Sequence, residues 1–431
     1  MGRPDGDSDC RDSVEGMNLD GFLELLTSPG QLALARAEEL TSRHTPVTAA
    51  SLLRRDHSAE LVSAALTQAQ LRARAAVKFG AAAARMYFTP DGLEQATRAE
   101  VAAHRARRLA GAAGASGAGG RGRVADLCCG IGGDLLALAA AGCAVEGFER
   151  DELTAAVARA NIEALGLSGA ATVRTAGAAE ADPGRYDAVF IDPARRTSAR
   201  RVFDPMAYSP PWPEVMEIAA AAPAACVKAA PGLPYEFVPE GAEVEWVSYR
   251  GEVKEAAIWL GAAVPEHAPE AGTGGFLRRA TLQPSGVTLT GGGEPRQAER
   301  GPAGRYLYEP DGAAIRAHLV AEVADIVRGR LLDPHIAYIT GDEPVSTPWA
   351  SCYEILEMMP FSGKRLRAAL RERNVGTVTI KKRGSAVDIE RLRRDLRLSG
   401  DESLVVVLTR IDDKPYALLC APVVPANATA N

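Results

Sequence analysis

Long apolar runs are missing from this 431-residue chain. No stretch approaches the roughly 20 consecutive apolar residues of a membrane span, so an integral helical membrane protein is not expected. The first 20 residues are acidic and polar, without a basic start followed by an apolar stretch, so secretion is not indicated. Paired cysteines are missing as well. Seven stand at positions 10, 128, 129, 143, 226, 352 and 420 with no Cys-x-x-Cys among them, which fits reduced thiols in the cytoplasm and argues against a zinc ribbon or a disulfide scaffold. The six histidines are dispersed, with no His-x-His or His-Glu-x-x-His, so no metal site is expected. A phosphate loop of the GxxxxGK[ST] type is absent too. Aromatics make up 5% of the chain and lysine only 7 of its 49 basic residues, while alanine is abundant, a bias that gives the alanine tracts no functional weight.

What is present is uneven. Positions 344–431 carry 14 Lys/Arg against 10 Asp/Glu, a balance of +4, whereas the rest of the chain is at −10. That asymmetry hints at a polyanion partner for the C-terminal piece, although a solvated face gives the same pattern. Four segments suggest themselves. Residues 1–120 read as a helical region that ends in a small-residue stretch at 111–122. Residues 121–264 alternate apolar strands and helices, the mark of a parallel, doubly wound sheet. Residues 265–343 form a connecting α/β segment with a helix expected over 312–328. Residues 344–425 form a basic α/β domain.

The most informative stretch is Val124-Ala-Asp126-Leu-Cys-Cys-Gly130-Ile-Gly132-Gly-Asp134. A strand ends in an acid, and glycines carry the chain into a helix, permitting a tight turn and close backbone approach to a ligand. Seventeen residues after Gly132 the next strand ends in Glu149, placed to accept the hydroxyls of a ribose. Dinucleotide sites usually have their first glycine directly after the strand. Here the spacing is D-x-x-x-G-x-G, the pattern of S-adenosylmethionine (SAM) sites; a bare structural turn is the remaining alternative. The second signal is Asp187-Ala-Val-Phe-Ile-Asp192-Pro193-Ala-Arg195-Arg196, an apolar strand opening into Asp-Pro. Asp192 can accept a hydrogen bond from a nucleophilic amine or hydroxyl, or take its proton. Equally, it can simply cap the turn. Arg195 and Arg196, with Arg200 and Arg201, suit a substrate phosphate or carboxylate, or else form a solvated loop.

These motifs resemble the class I SAM-dependent methyltransferases. The Asp192–Arg196 loop, Lys78-Phe79-Gly80, the run from Met86 to Thr97 and the run from Tyr306 to Asp311 resemble the bacterial methyltransferases that carry a C-terminal THUMP-like domain. The resemblance implies an α/β fold: a Rossmann-like core, an N-terminal helical region and a C-terminal α/β THUMP-like domain. It implies SAM as cofactor and RNA as partner. Carried over, Asp126, Gly130 and Gly132 hold the methionine part of SAM, Glu149 the ribose, and Asp192 with Pro193 stands at the transfer site. No acid follows the third strand, so adenine recognition falls to the backbone at Gly177 and Ala178.

The methylated atom is harder to read. Enzymes that methylate exocyclic amines typically carry Asp/Asn/Ser-Pro-Pro-aromatic at the strand end, and here Asp192-Pro-Ala-Arg lacks the second proline and the aromatic. Ser209-Pro-Pro-Trp212 has those letters but lies 17 residues further on and reads as a loop entering the next helix. Cys226 reads as core rather than as the nucleophile of a carbon-methylating enzyme, and Cys128 and Cys129 as packing. In the C-terminal domain Lys381, Lys382 and Arg383, with cations on two helices, are candidates for phosphate contacts. The expectation is transfer of methyl to a nitrogen or oxygen of RNA. The alternatives are a methyltransferase of protein or a small molecule, and a non-catalytic RNA-binding protein with a retained Rossmann core.

Overall fold

The computed structural model describes residues 17–114, 120–194, 196–197, 200–201, 204–265 and 275–423. The chain divides into two compact units, Met1–Lys228 with Leu260–Ala263, and Ala229–Trp259 with Val264–Asn431.

The first unit opens with helices α1 (Leu19–Leu25), α2 (Ser28–Arg43), α3 (Pro46–Leu53) and α4 (Ala59–Phe79). Each begins where a short polar side chain can satisfy an otherwise orphaned N–H. Asn18, Thr27, Thr45 and Ser58 accept from the backbone N–H groups of Gly21, Gly30, Thr48 and Leu61. Thr89-Pro-Asp-Gly92 works in the same way. Its sequence suggests a break before a helix from Leu93, yet Thr89 Oγ1 accepts from the Gly92 N–H at 3.0 Å and caps a short helix, α5 (Pro90–Gln95). The next helix, α6, spans Ala99–Ala112.

The sheet follows as β1 (Arg123–Leu127), α7 (Gly133–Ala140), β2 (Ala144–Glu149), α8 (Glu152–Ala164), β3 (Ala171–Thr175) and β4 (Ala188–Ile191). Two paired two-residue strands, β5 (Arg196–Thr197) and β6 (Arg200–Arg201), precede α9 (Trp212–Ala221) and β7 (Ala224–Ala229). The five long strands lie in the order β7-β4-β1-β2-β3, all parallel. β4 and β7 are buried at every position, which explains why their sequences are apolar apart from Lys228. Strand order reverses between β1 and β4, so the crevice at their carboxyl ends is where such a sheet binds ligands.

The second unit holds β8 (Glu243–Tyr249), β9 (Glu252–Gly261) up to Trp259, β10 (Leu277–Gln283) and β11 (Val287–Gly291), ordered β11-β10-β8-β9. It continues with β12 (Tyr306–Pro310), α10 (Gly312–Arg316), α11 (Val320–Ile326), β13 (Arg330–Asp333), β14 (Ile336–Gly341) and β15 (Ala350–Pro360). Then come α12 (Gly363–Glu372), β16 (Val375–Lys382), α13 (Ile389–Leu396), β17 (Glu402–Ile411) and β18 (Lys414–Pro422). The helix expected over 312–328 is two helices, because the chain turns through a left-handed His318 with φ 51° between them. A seven-stranded sheet runs β13-β14-β12-β15-β18-β17-β16, antiparallel except for β16 and β17. Both its faces are covered. Val406, Leu408, Ala417 and Leu419 face a core with Leu366, Leu370, Leu392 and Leu396 of the helices, and their neighbours Val405, Val407, Leu418 and Cys420 face another. Among the described residues no helix is long and apolar enough to cross a membrane.

Candidate active site

A cavity of about 760 Å³ opens at the carboxyl ends of β1, β2 and β4. Gly130, Glu149, Gly177, Ala178, Asp192 and Pro193 line it, so six of the residues singled out in the sequence come together. Gly130 and Gly132 have φ values of 56° and 89°, the left-handed region that glycine enters without strain. Cys128 shares that conformation at φ 63° although it has a Cβ, so the loop carries strain beside the cavity. Burial, then the neighbouring carboxylates of Glu149, Asp192 and Asp126, push the Cys128 thiol up to about 12, and Cys129 is raised likewise. Neither is a nucleophile near neutral pH. Cys226 is fully buried within β7.

The Glu149 carboxylate is held before any ligand arrives. Its two oxygens accept from the N–H groups of Gly130 at 3.0 Å and Asp151 at 2.9 Å. Asp126 and Gly132 stand behind the wall rather than on it. Asp126 is completely buried, and neither carboxyl oxygen has a hydrogen-bond partner among the described residues. Burial is the largest cause of a carboxyl raised well above the usual range; the charges of Asp134 and Asp192 add to it, and Arg105 and Lys228 oppose it. Asp134 has the opposite outcome: burial would raise it, but Arg105 and Lys228 hold it below the usual value, with Thr97 also bonded to it.

A raised native pKa means that Asp126 keeps its proton in the ligand-free fold where the unfolded chain has lost it. Its contribution to stability is therefore full at acid pH and lost as pH rises through the native value. The ligand-free wild type should lose melting temperature relative to Asp126→Asn as pH rises above the ordinary carboxylate range. A difference between the two proteins that does not change with pH would refute a protonated Asp126.

Lys228 and Thr97 were not singled out in the sequence. Lys228, 5% exposed, ends the apolar run of β7 and donates to Asp192 Oδ2 at 2.5 Å and to Thr97 Oγ1 at 2.9 Å. A lysine on a wholly buried strand in a lysine-poor chain was the available signal. Arg105 of α6 pairs with Asp134 and reaches Thr97 at 3.4 Å.

Thr97 belongs to a segment that the N-terminal helices lay across the cavity. Thr89, Asp91, Gly92, Glu94, Gln95, Ala96 and Thr97 all line it. The backbone leading to them runs between two buried amides. Asn161 accepts from the Tyr87 N–H at 2.6 Å and donates to the carbonyls of Tyr87 at 3.0 Å and Ile131 at 2.9 Å. Gln68 accepts from the Phe88 N–H at 3.0 Å and donates to its carbonyl at 2.5 Å. Lys78 then caps α5, donating to the carbonyls of Leu93, Glu94 and Ala96 at 2.7, 2.8 and 2.9 Å.

Ser209-Pro-Pro also reaches the cavity, despite its distance from Asp192 in sequence. Ala194 and Ser209 exchange backbone hydrogen bonds of 2.9 and 3.0 Å, which brings Ser209, Pro210 and Pro211 to the rim beside Pro193. Trp212 is 4% exposed and packs edge-on against Tyr208, so it stacks in the core instead. Arg195 lies outside the described residues, and of Arg196 only the backbone is described.

Lys381, Lys382 and Arg383 lie in the second unit. Lys381 pairs with Glu309 at 2.5 Å, Arg383 approaches the same carboxylate at 3.7 Å, and Lys382 donates to the Val387 carbonyl at 3.1 Å. On α12 and α13, Lys364, Arg365, Arg393 and Arg394 are exposed and form no ion pair among the described residues.

A parallel sheet whose switch point carries Asp126 and Asp192, with a carboxylate ending the second strand, defines a Rossmann-like enzyme for a nucleoside-bearing cofactor. An uncharacterised S-adenosylmethionine-dependent methyltransferase of Mycobacterium tuberculosis, found alike in strains CDC 1551 / Oshkosh and H37Rv, is 39% identical over 354 residues, covering 79% of this chain and 90% of the relative. The chain belongs to the S-adenosylmethionine-dependent methyltransferases, and SAM is its cofactor. Residues 350–422 match the THUMP domain-like family, and residues 18–75 match a domain of unknown function (DUF8688). The fold is shared with the crystal structure of a protein of Porphyromonas gingivalis W83 provisionally assigned as a methyltransferase. That likeness has a TM-score of 0.70 at 21% identity and covers 91% of this chain and 99% of the other.

Proposed function

We propose that the protein methylates RNA at a nitrogen or oxygen positioned by Asp192, with Pro193 at the same rim, and that Arg195 and Arg196 bind the substrate. One observation carries the choice of RNA. The segment matched as THUMP domain-like contains α12 and α13, whose leucines are buried and whose outer faces are cationic. Lys364, Arg365, Arg393 and Arg394 are then free for phosphates, and Lys381, Lys382 and Arg383 stand at the end of the adjoining strand β16.

The residues around the cavity fit SAM. Asp126 is a buried carboxylate without a partner, suited to an ammonium; binding it there would expel the carboxyl proton. Gly130 and Gly132 let the backbone approach the methionine part. Glu149, already oriented, takes the ribose hydroxyls. The Gly177 N–H is engaged by Glu180 at 2.7 Å and the Ala178 carbonyl by the Ala181 N–H at 3.1 Å, which leaves the Ala178 N–H for the adenine. When bound, SAM supplies a methyl group already activated on a sulfonium, so alignment of the acceptor is the main task left to the protein. Asp192 accepts the N–H or O–H of the acceptor and turns its lone pair toward the cavity.

A second reading has one observation in its favour. Seven carboxylates line the cavity (Asp91, Glu94, Asp134, Glu149, Asp151, Asp192 and Glu214) against Arg150 and Lys228, a lining that suits a cationic amine of protein or a small molecule. Tritiated methyl transfer from SAM separates the two readings. Total RNA and protein extract, both from cells lacking the enzyme, serve as acceptors. Label should enter RNA and vanish with Asp192→Asn. Replacing Arg365 and Arg394 by Glu should weaken RNA binding and lower its salt slope by about one per cation removed. Label in protein alone would overturn the RNA assignment.

A further inference from the structure

We propose that Lys228 is a positioning residue for methyl transfer, its ammonium clamping one oxygen of Asp192 so that the other is aimed at the acceptor. The inference rests on the reading of Asp192 given above. β7 is buried from Ala224 to Ala229, and the Lys228 side chain is 5% exposed. Stability does not ask for a cation there, because an apolar side chain of the same length would be buried at less cost. What the ammonium does is join two walls of the cavity. It donates to Asp192 Oδ2 on the β4 side and to Thr97 Oγ1 on the segment supplied by the N-terminal helices. Thr97 is itself fixed, being 8% exposed, approached by Arg105 and bonded to Asp134.

Asp192 is thereby divided. Oδ2 is occupied, while Oδ1 has no partner among the described residues and the side chain, 26% exposed, lines the cavity. A carboxylate tied through one oxygen cannot rotate away from the acceptor. In-line transfer is sensitive to that aim, since a misplacement of about 1 Å is enough to slow an enzyme roughly 100-fold.

The test uses the full chain and whichever acceptor fraction, RNA or protein extract, the wild type labels. Lys228→Met should lower kcat by about 10- to 100-fold, with acceptor KM and the SAM dissociation constant from calorimetry within about threefold of wild type. Lys228→Arg, which keeps the cation, should recover part of the rate. In an Asp192→Asn background, Lys228→Met should slow transfer no further. Equal losses in both backgrounds, or a fall in SAM affinity matching the fall in turnover, would overturn the proposal and leave Lys228 as a counter-ion of the acid cluster. Slow Asp192→Asn beside normal Lys228→Met would sink the proposal and spare the role of Asp192; normal turnover of Asp192→Asn would sink that role itself. A readout independent of any acceptor is thermal melting. Asp192→Ala strands a buried ammonium and should melt earlier, and adding Lys228→Met should restore the melting temperature. Failure of that rescue also counts against the clamp.

Discussion

Asp192→Asn should slow methyl transfer by about two to four orders of magnitude and leave SAM affinity within a few-fold of wild type. The asymmetry follows from where the carboxylate stands. It follows β4, with β1 between that strand and the Glu149 end of β2, and its side chain bonds Lys228 rather than the glycine turn. Asparagine is the informative replacement. Its carbonyl can still accept from Lys228, so the buried ammonium keeps a partner and the fold keeps its stability. Alanine would remove that partner, and an unpaired buried charge commonly costs about 3–5 kcal/mol. A rate loss in the alanine variant would mix unfolding with chemistry. The check is single-turnover transfer of labelled methyl beside calorimetric titration with SAM. Parallel losses in both would reassign Asp192 to cofactor binding.

Gly400→Ala should remove at least about 3 kcal/mol of stability from the second unit. Parallel strands β16 and β17 are entered through two crossing stretches of backbone, Asn374–Gly376 and Gly400, with a register shift between Val375 and Thr377. A Cβ on Gly400 would fall onto the carbonyl of Asn374, and one on Gly376 onto the carbonyl of Gly400. Both obstacles are main chain, so no rotamer change relieves them. Neither glycine has a positive φ, which makes this a matter of space rather than of backbone conformation. The Glu402 N–H to Asn374 carbonyl bond of 3.0 Å would go first, followed by the core around Val375, Leu392 and Val406. A stability of this size is a large part of what a domain possesses. Denaturant unfolding of the full chain measures it, and an unchanged second transition would refute the argument.

Local signals were legible in the sequence wherever one element carries its own pattern. The acid-ended strands, the glycine turn and the apolar runs of β4 and β7 gave the sheet, and with it Asp126, Glu149 and Asp192. Thr89-Pro-Asp-Gly92 was readable as turn chemistry, but whether that chemistry breaks a helix or starts one depends on the residues that follow. Long-range partners left no such trace. Ser209 looks remote from Asp192 until Ala194 pairs with it, and Lys228 looks like an ordinary strand end until Thr97 arrives from 131 positions earlier. The folding of the chain makes these contacts, and no spacing along it encodes them.

The amide pairs of Gln68 and Asn161 give the N-terminal region a standing of its own. The stretch from Met86 to Thr97 joins no sheet; it is recognised by the rest of its unit much as a bound peptide would be, through backbone hydrogen bonds at Tyr87 and Phe88. It acts as a tethered intramolecular ligand, kept at high effective concentration by the helices on either side. With SAM in this cavity as proposed, release of that segment and capture of SAM would be linked equilibria, because its residues line the cavity and hold the partner of Lys228. Whatever loosens the helices of the first hundred residues should then loosen the grip on the methyl donor, although most of those helices lie far along the chain from the glycine turn.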